Sequence, residues 1–140
     1  MAYLLDTNVA SELTKSRPHP AVSAWLEAAP GPALYLSVLV VGEIRQGIER
    51  VRDRDPVKAA VFESWLTRLE HGFADRIVPV DLKVARQWGL LNAKATLPVV
   101  DGLLAATALA YGWTLVTRNT KDFARASVPL LDPFAWPVGS

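Results

Sequence analysis

Tyr3-Leu4-Leu5-Asp6-Thr7-Asn8 opens the chain with a short apolar run that ends abruptly at a carboxylate. Consecutive apolar residues without polar alternation read as a strand buried on both faces, the pattern of a parallel sheet. Asp6 then stands at the carboxyl end of that strand, and Thr7-Asn8 leads into a helix expected over Val9 to Leu13. In open parallel sheets, ligands gather in the crevice outside the carboxyl ends of the strands. This opening therefore sets both the expected architecture and the expected place of the site.

Outward from it, strand and helix patterns alternate. Ala21 to Ala29 reads as a helix with Val22, Trp25 and Leu26 on one face, stopped by Pro30-Gly31-Pro32. Leu34-Tyr35-Leu36 is a second strand, and Ser37 caps a helix expected from Val38 to Arg52. After the break at Asp53-Arg54-Asp55-Pro56, a helix over Val57 to Glu70 carries Val61, Trp65 and Leu69 as its apolar stripe. Ile77-Val78-Pro79-Val80 is a third strand, and its proline assigns it to a sheet edge. Asp81 starts a helix that runs to Ala95, and Val100 to Tyr111 forms another that Gly112 closes. Trp113 to Thr117 and Val128 to Leu131 complete the strands. The expected fold class is α/β: a single domain over residues 1–136, with a mostly parallel central sheet of about five strands and helices on both faces. Residues 137–140 read as a tail.

The chain has 140 residues, 51% of them apolar, enough for one domain with its own core. It has no cysteine. Disulfides, thiolate catalysis and cysteine zinc sites are thereby excluded, and a reducing cytoplasm is the expected setting. The first apolar run is too short for a signal peptide, and the most apolar window, Leu97 to Leu109, is too short to span a bilayer and carries Asp101. The net charge of +1 argues nothing about nucleic acid by itself. Of the two histidines, His19 lies in the turn-like Arg17-Pro18-His19-Pro20 and His71 precedes Gly72 at a helix end. Neither reads as catalytic.

Four acids remain: Asp6, Glu43, Asp101 and Asp122. Each belongs to a turn after an expected strand or to a helix near one, and the parallel sheet carries them to one crevice. Each also has an ordinary reading. Asp6 and Asp101 are good helix caps, Glu43 can be a boundary glutamate paired to Arg50, and Asp122 can be a turn residue. Asp81 also ends a strand and starts a helix, but its strand is assigned to the edge, so it is read as a cap. Carboxylates crowded together repel, and a divalent metal is the simplest compensation. Such a pocket points to metal-dependent phosphate chemistry.

Leu4-Leu5-Asp6-Thr7-Asn8, Ser37 to Gly47 with Gly42-Glu43, Pro98-Val99-Val100-Asp101 and Thr117-Arg118-Asn119-Thr120-Lys121-Asp122-Phe123 together resemble a PIN-domain ribonuclease. More closely, the chain is similar to the VapC-type toxins of toxin–antitoxin pairs, including the FitB-like branch. The resemblance runs to Pro133-Phe134 and leaves out Val138-Gly139-Ser140. It implies that Asp6, Glu43, Asp101 and Asp122 hold Mg²⁺ or Mn²⁺ and carry hydrolysis of RNA, with Thr7, Asn8, Thr117 and Asn119 as supporting polar residues. It also implies a homodimer and a small antitoxin that blocks the acidic pocket, the two joining in a higher assembly. Arg45, Arg118 and Lys121 are candidate phosphate contacts, with Arg17 and Arg125. Val22, Trp25, Val61, Trp65 and Leu69 are candidate dimer contacts. Two other readings stand beside this one: an inactive PIN-like module that only binds or regulates, and a Mg²⁺-dependent phosphatase or receiver-like domain.

Overall fold

The computed structural model describes residues 1–138. Five strands form one parallel sheet in the order β3-β2-β1-β4-β5, with β1 (Tyr3–Leu5), β2 (Leu34–Ser37), β3 (Ile77–Val78), β4 (Thr114–Val116) and β5 (Leu130–Leu131). The opening strand is the centre. Leu4 pairs with Tyr35 on one side and with Leu115 on the other, and both Leu4 and Leu5 are fully buried. That double coverage is what an unalternating apolar run requires. β3 is an edge strand that ends before Pro79, whose missing N–H makes further pairing impossible.

The helices are α1 (Thr7–Glu12), α2 (Pro20–Ala28), α3 (Val38–Arg52), α4 (Pro56–Gly72), α5 (Leu82–Lys94) and α6 (Val99–Tyr111). α3 and α4 pack as one hairpin and α5 and α6 as another. α1 begins two residues earlier than the apolar pattern indicated, because the Asp6 side chain already accepts from the Thr7 N–H. Ser37 caps α3 by accepting from Leu39 N, and Gly112 closes α6 in the left-handed conformation at φ 71°. The β4 and β5 runs are shorter than their apolar stretches. Three 3-10 segments, Gly31–Ala33, Thr120–Ala126 and Pro133–Ala135, had no counterpart in the sequence pattern.

The core joins Leu4, Leu5, Leu36, Leu115, Val116 and Phe123 to the small-residue face of α6. Gly102, Ala105, Ala106 and Ala108 of that helix are buried, which allows close packing of its backbone. Val22 and Trp25 also belong to this core, with Trp25 edge-on to Tyr3 at 5.4 Å. They are therefore not dimer contacts. Among the described residues no single helix is long and apolar enough to cross a membrane; α5 and α6 qualify only jointly and are bent by 117°. The expected tail falls partly on Gly139 and Ser140, which lie outside the described residues.

Candidate active site

The sheet order explains why residues so distant in sequence meet. β1 and β4 are neighbours, so Asp6 at the end of β1 stands beside Thr117, just past the end of β4. Thr117 is fully buried, and its hydroxyl donates to Asp6 Oδ2 at 2.7 Å. Thr7 N donates to Asp6 Oδ1 at 2.7 Å, so Asp6 caps α1 as well as accepting from Thr117. The Asn8 amide donates weakly to Asp6 Oδ2 at 3.4 Å, while its oxygen accepts from Arg118 N at 3.3 Å. Asn119 N donates to the Thr117 hydroxyl at 3.0 Å. The loop after β4 is thus tied to the loop after β1, and both tie down one carboxylate.

Glu43 comes from α3, which packs on α1. It does not pair with Arg50; the Thr7 hydroxyl donates to Glu43 Oε1 instead. Thr7 therefore serves two acids at once, Asp6 through its backbone and Glu43 through its side chain. Asp101 sits in the first turn of α6 without capping it: the cap position is Pro98, which makes no side-chain cap bond. Asp122 lies in the first turn of the 3-10 segment after β4, exposed, with its N–H bonded to Asn119 O.

Electrostatics binds these acids into one group. Burial pushes the Asp6 carboxyl above its ordinary range, and the Glu43 charge adds to this against the hydrogen bonds from Thr117, Thr7 and Asn8. Asp101 is pushed up as well, first by burial and then by the charges of Asp6, Glu43 and Asp122. No lysine or arginine offsets either carboxyl. The donors are all hard oxygens, which fits Mg²⁺ or Mn²⁺ and does not fit a soft metal. Among the described residues, no three acidic or imidazole side chains are drawn to ion-ligating distance.

Asp81 is the helix cap that the sequence pattern indicated. Asp81 caps α5 by accepting from Val84 N at 2.9 Å and accepts from the Tyr111 hydroxyl at 2.8 Å. These bonds hold its carboxyl below the ordinary range. His19 caps α2 through Nδ1, accepting from Ala21 N, and His71 lies in the last turn of α4. Among the candidate phosphate contacts, Arg45 is engaged with Glu49 and Glu63. Arg118 lies over the Phe134 ring, 4.4 Å from its centroid. Lys121 adjoins Asp122 in the chain and is exposed, as is Arg17; Arg125 donates to Thr96 O at 3.2 Å.

Two features escaped the sequence reading. Glu12 is buried and bonded by the Lys15 ammonium and by His19 N; only the Glu12–Lys15 spacing hinted at it. The other is the seat of Asp101. A Cβ on Gly102 would lie 3.1 Å from Trp88 Nε1 and 3.3 Å from Trp88 Cδ1. The α5 indole is wedged against the start of α6, its N–H buried without a partner. Gly102 is the residue that lets it approach.

A parallel sheet with Asp6 at the end of its central strand, and with Glu43 and Asp101 on flanking helices close enough for their charges to act on one another, defines a class of acidic α/β domains. Residues 3–129 match the family described as PIN domain, and the chain belongs to that family, with the VapC and FitB toxins among its relatives. It is 35% identical over 137 residues to the VapC ribonuclease Y4jK of Sinorhizobium fredii, covering 94% of this chain and 96% of that protein. It is 33% identical over 136 residues to the toxin FitB of Neisseria gonorrhoeae, covering 94% and 97%. A chain of the solved FitAcB structure from Neisseria gonorrhoeae superimposes with a TM-score of 0.84 at 33% identity, covering 95% of this chain and 99% of that one.

Proposed function

We propose that this protein is a metal-dependent endoribonuclease, the toxin of a type II toxin–antitoxin pair acting in the cytoplasm. The observation that carries the reading is that Asp6 after β1, Glu43 of α3, Asp101 of α6 and Asp122 after β4 lie close enough for their charges to act on Asp101, with no lysine or arginine offsetting Asp6 or Asp101. The printed names of the VapC ribonuclease and the toxin FitB support the choice of RNA over small phosphate esters.

Asp6, Glu43 and Asp101 would hold Mg²⁺ or Mn²⁺, with Asp122 at the open side. When bound, such an ion supplies positive charge at the phosphate and eases deprotonation of water. The chain's own residues supply the rest. Thr117 and the Thr7 N–H fix both oxygens of Asp6, and the Thr7 hydroxyl aims Glu43. Asn8 and Asn119 hold the two loops together so that these donors stay in register. Arg118 and Lys121 flank the site on the loop after β4 and contact the phosphates of the strand.

An antitoxin that blocks the site would do so with a basic side chain. An arginine fork pairs with two carboxylates and competes with metal. A solved toxin–antitoxin complex from Klebsiella pneumoniae, 26% identical to this chain, supports an antitoxin as the partner. Homodimerisation is supported by exposed apolar residues on and beside α5: Leu82 and Leu90 are each 65% exposed and Val99 is 63% exposed.

The test is incubation of the purified, antitoxin-free protein with total RNA and Mg²⁺ or Mn²⁺, followed by mapping of cut ends. Metal-dependent cuts that stop in EDTA are expected. Release of phosphate from small esters with no RNA cleavage would overturn the reading.

A further inference from the structure

The sheet sets two loops side by side at the carboxyl ends of its strands. β4 and β5 are parallel neighbours, and Thr117 N, just past β4, donates to Leu131 O at 2.9 Å. Both strands leave the sheet at the same end, β4 into Arg118 and β5 into Asp132-Pro133-Phe134. Asp132 accepts from Phe134 N at 2.9 Å and so starts the 3-10 turn Pro133–Ala135. That turn packs on α2, with the Phe134 and His19 rings edge to face at 5.2 Å. The ring of Phe134 is therefore fixed from its own side. It carries the Arg118 guanidinium 4.4 Å from its centroid.

Arg118 is exposed, yet its backbone is tied to the acids' own loop: its N–H donates to Asn8 Oδ1, and the preceding Thr117 hydroxyl donates to Asp6. A long cationic side chain at this place has an available partner in the carboxylates. It offsets neither Asp6 nor Asp101 and lies on a ring instead. The difference matters chemically. A carboxylate takes the N–H donors of an arginine in pairs and cancels its charge, as Glu49 and Glu63 do to Arg45 and Arg52. An aromatic face attracts the cation through its quadrupole and takes none of the donors, which point outward in the guanidinium plane.

We infer that Phe134 is a positioning residue for the RNA substrate: its ring holds the Arg118 guanidinium beside the acidic group, charged and with its donors free, so that the planar fork meets a substrate phosphate. This rests on the nuclease reading above and deepens it. Phe134 itself touches no RNA. It spares the strand the entropy of ordering a flexible arginine, and it keeps that arginine from folding onto the acids in place of metal.

The experiment uses fluorescence anisotropy of a labelled, mixed-sequence single-stranded RNA on the full chain carrying Asp101→Asn, so that binding is read without cleavage. Adding Arg118→Gln should weaken binding and lower the salt dependence by about one phosphate contact. Adding Phe134→Leu should weaken it about two- to fivefold, the range of an exposed cation–π contact. With Arg118→Gln already present, Phe134→Leu should have no further effect. A Phe134 that only supports the fold would cost the same in both backgrounds, and that result overturns the proposal. Phe134→Trp offers a stronger cation–π face and should bind RNA at least as tightly as phenylalanine; affinity as weak as that of Phe134→Leu also overturns it. Should leucine there unfold the chain, Arg118→Lys decides, since lysine keeps the charge but not the planar fork over the ring. It is expected to lose about as much affinity as Phe134→Leu would, two- to fivefold, and full affinity sinks the proposal. Cleavage by the parent separates this inference from the reading it rests on. If the parent cuts RNA and Phe134→Leu in the parent leaves KM unchanged, the positioning role fails and the nuclease stands. RNA bound with Arg118 and Phe134 coupled, but never cut, keeps the positioning role and removes the nuclease.

Discussion

Glu43 and Glu49 share α3, six residues and a rotation of about 240° apart, and they live in opposite electrostatic worlds. Glu49 faces the outside of the α3–α4 hairpin, where Arg52 donates through two nitrogens at 2.8 Å and Arg45 approaches at 3.3 Å. The Arg52 hydrogen bonds pull its carboxyl down to about 2. Glu63 of α4 joins the same network and is likewise lowered, first by Arg45. Glu43 faces inward to Thr7 and to carboxylates, and the acids around it are raised. One helix thus carries a carboxylate that the protein has already neutralised and one that it has left for something else to neutralise. Acidic residues alone do not mark a candidate site; acids without a cationic partner do.

The sharpest way to break this contrast is to remove charge on each side. Asp6→Asn and Asp101→Asn should each lower RNA cleavage by about a thousandfold or more. Metal stabilisation of the phosphate is worth several kcal/mol, and each 1.36 kcal/mol is tenfold. Asn still caps a helix, so Asp6→Asn keeps the start of α1. Glu49→Gln and Asp81→Asn should cleave at the parent rate in the same assay. If Asp81→Asn abolished cleavage in a folded protein, the site would be misplaced.

Next come the residues that aim the acids. Thr117→Val keeps shape and removes the donor to Asp6; Thr7→Val does the same for Glu43. Each should cost about 10–100-fold in activity or in Mn²⁺ affinity, the usual effect of losing a bond to a ligating group. Titration of Mn²⁺ against thermal stability reads the affinity arm without any substrate.

The metal-free protein gives a pH test with a definite sign. Asp6 and Asp101 have raised folded values, so their contribution to stability is fully present below the ordinary value of 3.8 and is lost as pH rises through the raised one. Glu49 behaves in reverse. Its contribution is present above 4.5 and is lost as pH falls toward about 2. In EDTA, Asp101→Asn should therefore melt above the parent at neutral pH, with the gap closing toward pH 4. Adding Mg²⁺ or Mn²⁺ should raise the melting temperature of the parent and not of Asp101→Asn. A metal-free parent that melts above Asp101→Asn at neutral pH would show that the crevice is not strained by its own charge.

The sheet was legible because its signals are local. An apolar run ended by Asp6, a proline after β3 and a glycine after α6 each carry their own stereochemistry. The four acids could be proposed as a set from sequence because a parallel sheet sends its strand ends to one side. What joins them was not. The Thr7–Glu43 bond depends on how α1 packs on α3, and the Asp6–Thr117 bond on β1 and β4 being neighbours. No pattern within either segment encodes those contacts. Val22 and Trp25 show the same limit from the other direction. An apolar stripe on a helix is identical in sequence whether it meets the core or a second copy, and here it meets the core.

The smallest effect expected is at Gly102, where two terms of similar size oppose. Replacing a helical glycine by alanine gains roughly 1 kcal/mol of helix propensity. Against it stands the Trp88 indole, 3.1 Å from the new Cβ, and overpacking costs about 1–3 kcal/mol. The indole is hemmed in, with its N–H buried, so it cannot swing away freely and the overpacking term wins. Gly102→Ala should lower the melting temperature by a few degrees. Because Asp101 is the preceding residue, the displacement should also raise the Mn²⁺ midpoint severalfold. Trp88→Phe in the same chain trims the contact and should recover both, leaving only the propensity gain. Recovery of stability without recovery of the Mn²⁺ midpoint would mean that Trp88 supports the fold of α6 but does not set the position of Asp101.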